Sequence, residues 1–203
     1  MTFRSIIDAG SDEAIALSAP NRPAISYKAL RNHCDQIGRQ LASQGLTNSD
    51  RVAIVLRNGP EMALAFLAVA SYMSAAPLNP SYKLSEYTFY LKDLKPGLVI
   101  VEENSTNPVR AAAVNLSIPV VEAKKTANSL AGGFELFQSE ADIQPANRNH
   151  EALVLHTSGT TSRPKIVPLL QKNILASSKN ISASLELKST DHCLNIMPLF
   201  HIH

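Results

Sequence analysis

Tryptophan is absent from the 203-residue chain, and aromatic residues make up only 5% of it. That excludes a platform of stacked rings for single-stranded nucleic acid. Charge of one sign is also scarce. Lys and Arg number 19 against 17 Asp and Glu, a net charge of +2. No dense Lys/Arg run occurs, so the basic footprint of a nucleic-acid partner is missing. The two cysteines, Cys34 and Cys193, lie far apart. A disulfide scaffold is excluded, and a reducing compartment, by default the cytoplasm, is expected. No apolar run has membrane length. The longest, Met62 to Ala76, contains Ser71 and Ser74 and falls short of the roughly 20 residues a span needs. It reads as a buried helix. The N-terminus reaches Asp8 before any apolar stretch develops, so it does not read as a secretory signal.

Hydrophobic residues make up 45% and charged residues 18%, the balance of an ordered globular chain. The length allows one domain, or one and a fragment, with a sizeable core.

The pattern along the chain alternates. Ala14–Leu17 and Ala24–Tyr27 read as short strands around the turn Ala19-Pro20-Asn21-Arg22-Pro23. Ser26 can cap a helix to about Gln44, with Gly45 as its stop. Leu30, Cys34, Ile37 and Leu41 fall on one face of that helix. Arg51–Leu56 is a near-continuous apolar run that suits a parallel strand covered on both faces. Asn58 is placed to cap a helix from Pro60 to about Ser74. Leu84–Leu94 reads as a helix, Leu98–Val101 as a strand, Pro108–Asn115 as a helix and Ile118–Val121 as a strand. The alternation predicts right-handed βαβ crossovers: an α/β fold of mostly parallel sheet layers with flanking helices. Residues 123–150, with Gly132-Gly133 and many polar side chains, read as a surface excursion. Ala152–Leu155 and Lys165–Leu169 read as strands, Gln171 to about Leu185 as a helix, and Cys193–Met197 as a short strand.

The chemistry concentrates between two of these strands. Thr157, Ser158, Thr160, Thr161 and Ser162 surround Gly159, and Arg163 and Lys165 follow. Hydroxyls and backbone N–H groups donate to phosphate oxygens, Gly lets the backbone approach closely, and a cation neutralises charge. The stretch is not a Walker A loop, because Pro164 stands where the second Gly should be and Ile166 follows Lys165. Nor is Ser158 in a nucleophile elbow, since His156 and Thr160 occupy the glycine positions of that motif. On composition alone, a plain Ser/Thr-rich turn between hairpin strands remains an alternative.

The segment TSGTTSRPK resembles the loop T-S-G-T-T-G-x-P-K-G of the adenylate-forming superfamily, which includes acyl-CoA synthetases and adenylation domains. A second motif of that family, Met197-Pro198-Leu199-Phe200-His201, follows in order. The upstream stretch RVAIVLRNGPEMALAFLAVASYMSAAPLNPSY is also similar to the family's N-terminal half. Ser162 and Ile166 replace two glycines of the pattern. The Ser-Arg-Pro-Lys form, with His156 before it and Phe-His-Ile-His later, is most similar to the oxalyl-CoA synthetase branch.

The resemblance implies a carboxylate–CoA ligase that forms an acyl-adenylate from ATP with Mg2+ and passes the acyl group to coenzyme A. It implies that Thr157, Ser158, Gly159, Thr160, Thr161 and Lys165 hold the departing phosphates, with Ser162 and Arg163 as secondary candidates. This amounts to electrostatic stabilisation of a charged leaving group. His201 matches the family histidine beside the acyl carboxylate, with His203 a secondary candidate. Without that match, His201 would read first as packing at a strand end. Oxalate is the expected acid, and a medium-chain or aromatic acid is the alternative. Asp191, His192, Cys193, His201 and His203 could cluster around a metal. No Cys-x-x-Cys or His-x-x-x-His accompanies them, so no metal site is assigned. His33 and Cys34 read as structural.

The last residues, IMPLFHIH, are mostly apolar, where domain termini are usually polar. With the family's downstream segments in mind, residues 1–203 are expected to be part of a longer AMP-binding domain and inactive alone. The competing expectation is a short, non-catalytic relative acting as a binding domain. A peroxisomal address further on would change the compartment.

Overall fold

Residues 2–125, 130–157 and 164–201 are described by a computed structural model. Six strands form one sheet in the order β6-β5-β3-β4-β7-β8. They are β3 (Arg51–Val55), β4 (Ser74–Pro77), β5 (Leu98–Glu102), β6 (Val120–Ala123), β7 (Glu151–Thr157) and β8 (Lys165–Leu170). All neighbours run parallel except β8, which pairs antiparallel with β7. A separate hairpin joins β1 (Ile15–Ala19) to β2 (Arg22–Ser26), and Asn21 at its turn has φ 58. The helices are α1 (Phe3–Asp8), α2 (Tyr27–Ala42), α3 (Pro60–Tyr72), α4 (Leu84–Leu94), α5 (Val109–Asn115) and α6 (Gln171–Ser184). The mostly parallel α/β expectation holds.

The near-continuous apolar strands follow from cover on both faces. Side chains alternate along a strand, so one sheet feeds two cores. Val52, Ile54, Leu98, Ile100 and Val121 pack with α1, α2 and α3. Ala53, Val55, Val99, Val101 and Val154 pack with α4 and α5, against Tyr87, Leu91, Leu94, Val109 and Ala112. Each buried Val, Ile or Leu stabilises the fold by roughly 1.5–3 kcal/mol before conformational entropy is charged against it.

The cap and stop of α2 are as expected. Ser26 Oγ accepts from the Ala29 amide at 3.3 Å, and Gly45 has φ +83. Gly38 is required by packing: a Cβ there would lie 2.6 Å from the Tyr72 ring.

Four expectations change. The apolar Met62–Ala76 stretch is not one helix. Helix α3 ends at Tyr72, Met73 turns extended (φ −138), and Ser74–Pro77 becomes the buried strand β4 beside β3. An all-round apolar, alanine-rich segment has no polar stripe, so periodicity cannot mark the switch. Asn58 does not cap α3, because Gly59 is the N-cap and makes no side-chain bond there. Residues 123–150 are not merely a surface excursion. Ala131, Phe134, Leu136 and Ala146 are buried, and Lys124 bridges Glu135. Buried Gln40 on α2 holds this stretch by donating to Phe137 O (2.6 Å) and accepting from Leu136 N (3.1 Å). Finally, Cys193–Met197 forms no strand. It has no strand neighbour among the described residues, and a lone extended segment has no ladder to join.

Helix α1 escaped the sequence pattern because it is short. Thr2 and Ser5 cap it reciprocally, and Phe3 and Ile7 bury its inner face. Arg4 reaches Asp35 on α2, which also accepts from the Tyr72 hydroxyl on α3. No helix among the described residues is long and apolar enough to cross a membrane.

Candidate active site

In open α/β sheets the carboxyl ends of the strands leave exposed backbone and a crevice where the connections diverge. Here the carboxyl ends of β4 and β7 form one wall of such a cleft, through Pro77, Leu78, Leu155, His156 and Thr157. Tyr82 and Tyr90, before and on α4, form a second wall. Phe200 and His201 close the third side. The cavity measures about 190 Å3. That is smaller than the ~300–1,000 Å3 typical of ligand sites.

At the opposite, amino ends of these strands, the sheet is fixed by charge. Arg51 on β3 grips Glu151 on β7 with two bonds, Nε to Oε1 at 2.8 Å and Nη2 to Oε2 at 2.9 Å. Ser74 Oγ on β4, lying between them, donates to the same Oε1 at 2.7 Å. The paired guanidinium fork adds geometric precision to three adjacent strands. The Glu151 bond and charge are the main reasons that the Arg51 guanidinium holds its proton even more firmly than usual.

Thr157 and Lys165 are directly paired across β7 and β8. The two ends of the hydroxyl-rich segment therefore meet at the rim of the cleft, with Lys165 exposed. Ser158, Gly159, Thr160, Thr161, Ser162 and Arg163 lie outside the described residues, as does His203. His201 borders the cavity, and its backbone N–H donates to Pro198 O at 3.2 Å. Asn58 takes a different job from capping: its Oδ1 accepts from the Leu199 amide at 2.9 Å. This ties the turn that carries His201 to the carboxyl end of β3.

The tyrosine wall is layered. Tyr82 stacks on Tyr90 with centroids 4.8 Å apart, and Tyr90 meets the edge of His156 at 4.7 Å. His156 Nε2 lies 2.9 Å from Asp93 Oδ2 on α4. Burial pushes the Tyr82 hydroxyl well above its usual range and Tyr87 up to about 12, so both stay protonated donors near neutral pH. Tyr87 uses its proton on Asn79 O at 2.9 Å, bracing the chain that follows β4. Sequence reasoning missed Tyr82, Tyr90 and Asp93. They lie far from His156 in sequence, and only the strand order that seats β4 beside β7 brings them together.

Of the residues weighed for a metal, Asp191 accepts from the Lys188 amide at 2.6 Å and His192 Nδ1 lies 3.2 Å from Thr190 O. Among the described residues, no group of three or more His, Cys, Asp or Glu is placed to hold a metal ion. Cys34 is fully buried, and desolvation raises its thiol to about 12, so it is inert core.

Against known proteins, residues 8–203 match the family model described as AMP-binding enzyme. An oxalate–CoA ligase of Arabidopsis thaliana is 38% identical over 93% of this chain, and the match covers 38% of that protein. An oxalate–CoA ligase of Saccharomyces cerevisiae is 35% identical over 76% of the chain and 33% of the protein. The chain thus spans well under half the length of these relatives. Among solved structures, apo MatB from Rhodopseudomonas palustris superposes with a TM-score of 0.81 over 99% of this chain and 41% of that one, at 21% identity. The fold is therefore shared beyond the reach of close sequence likeness. With a family model covering nearly its whole length and both motifs in order, the chain belongs to the AMP-binding enzymes, the adenylate-forming family of carboxylate–CoA ligases.

Proposed function

We propose that this chain supplies the phosphate loop and part of the acid cleft of an AMP-forming ligase that joins oxalate to coenzyme A. The observation that carries the reading is the pairing of Thr157 with Lys165 at the rim of the cleft bordered by His201. It puts a hydroxyl-rich segment and a cation beside a small pocket. Two relatives named as oxalate–CoA ligases support the choice of acid.

In the reaction, an oxalate oxygen attacks the α-phosphorus of ATP, and the bond to the β-phosphate oxygen breaks. Pyrophosphate departs and oxalyl-adenylate forms. The sulfur of coenzyme A then attacks the acyl carbon, and AMP leaves as the thioester forms. Thr157, Ser158, Thr160 and Thr161 donate hydroxyls to the β- and γ-phosphate oxygens. Gly159 brings the backbone close, and Lys165 offsets the charge that builds on the leaving group. Ser162 and Arg163 stand ready at the same loop. His201 donates to the acid's carboxylate, with His203 as a secondary candidate. Mg2+ accepts hydroxyl oxygens as ligands, so Thr157, Ser158, Thr160 and Thr161 would sit beside an ion that arrives on the phosphates. Bound there, the ion would neutralise phosphate charge.

The test is direct. Calorimetry should show pyrophosphate binding to the 203-residue chain, weakened about tenfold or more by Lys165→Ala, the loss of one charge-assisted contact. Oxalate-dependent ATP–pyrophosphate exchange should be absent from the chain alone and present in a polypeptide of the relatives' length. A chain that ignores pyrophosphate, or a full-length protein that exchanges equally with and without oxalate, would overturn the reading.

A further inference from the structure

His156 occupies a position that the phosphate loop and His201 leave unexplained. It is the last residue of β7 before Thr157, and side-chain alternation turns it to the face of Val154, under α4. Its side chain is only 5% exposed, yet it borders the cleft. Asp93 engages Nε2 at 2.9 Å, and the edge of the ring meets Tyr90, itself stacked on Tyr82. The ring is therefore fixed in place from both sides. Nδ1 makes no hydrogen bond to the described residues. No buried polar side-chain atom among them lacks a partner, so Nδ1 is not sealed in protein. The cleft that His156 borders is where a ligand could reach the ring. Asp93 is 43% exposed and His156 only 5%, so the carboxylate keeps its contact with water while it fixes a buried imidazole at the edge of the cleft. With Asp93 accepting at Nε2, a ring that carries both protons would present its Nδ1–H to an anion in a charge-assisted bond.

We propose that His156, oriented by Asp93, is the second imidazole of the acid cleft and receives the far carboxylate of a short dicarboxylate whose reacting end lies at His201. The inference rests on the acid-cleft reading above and adds the basis for choosing a diacid over a monoacid. His156 is then a specificity-determining residue, and Asp93 a positioning residue that acts through it.

The experiment follows histidine imidazole resonances of the 203-residue chain by NMR during titration with oxalate and, separately, acetate. Oxalate should move the signals of both His156 and His201, and acetate that of His201 alone. His156→Gln should weaken oxalate about tenfold or more and acetate less than about twofold, as expected when one charge-assisted contact is removed from only one ligand. Asp93→Asn should give a smaller loss of the same selectivity. The inference is overturned if oxalate moves His201 without His156, or if His156→Gln weakens both acids equally; the acid-cleft reading survives either result. If neither acid moves any cleft signal, both readings fall. If His156→Gln does not fold, the wild-type titration and Asp93→Asn still decide.

Discussion

Strands β3 to β6 and the segment from β8 onward are built from similar apolar stock, yet they bury it very differently. Every residue of β5 except Glu102 is buried, as is every residue of β3 except Arg51. In β8 none is buried, and on α6 only Gln171 and Leu175 are. Leu185, Leu187, Leu194 and Ile196 stand in solvent, Leu194 at 85% exposure. Large exposed apolar patches mark surfaces that meet something. The parallel strands are covered on both faces, whereas the segment after β8 is held by few buried side chains.

The sharpest way to break this contrast is a pair of truncations. Ile100→Ala, in the middle of β5, should cost about 3–4 kcal/mol of unfolding free energy in urea. Ile166→Ala on β8 should cost less than about 1 kcal/mol, because less surface returns to water. Equal losses would erase the distinction. Next in size is Gln171, the buried anchor of the exposed half. Its Oε1 accepts from the Phe3 amide at 2.8 Å, and its Nε2 donates to Ala70 O at 2.7 Å. Gln171→Leu orphans both groups and should cost about 3 kcal/mol, with amide exchange rising in α1 and α6 before the central strands.

A pH dependence should follow from the buried half. Burial lowers the His33 pKa from 6.5 to about 4. Between those values the unfolded chain binds the proton and the folded chain does not, so stability is complete above about 6.5 and falls as pH drops toward about 4. At pH ~4.5 the loss should be about 2 kcal/mol after allowing for partial exposure, read as a lower urea midpoint than at pH ~7. His33→Gln should flatten that slope; an unchanged slope assigns it elsewhere. The smallest effect belongs to Asn58. Asn58→Leu should change stability by less than about 0.5 kcal/mol, yet speed exchange at the Leu199 amide about tenfold or more by removing its acceptor. Asn58→Asp keeps an oxygen there and should restore protection.

The legibility of the sequence divides along the same line. The βαβ alternation of residues 51–121 was readable because strands covered on both faces show as solid apolar runs and α2 shows a clean stripe. β4 was not, since Met62–Ala76 has only Ser71 and Ser74 as small polar breaks and no polar stripe to mark where helix gives way to strand. The loop and His201 stood out by residue type in order. The His156–Asp93 pair and the tyrosine layer did not, because they are assembled by strand order rather than spacing. Asn58 carried a misleading local signal: a good capping side chain just before a helix, spent on Leu199 instead.

The bond between the Phe3 amide and Gln171 joins residues 168 positions apart. At roughly 5–20 residues per second, a ribosome needs about ten to thirty seconds to deliver the second partner after the first. Throughout that interval Phe3 and Ile7 have only part of their final surroundings. Helix α1 can pack on α2 and α3 as soon as those are made, but its bond to α6 waits for the end of that interval.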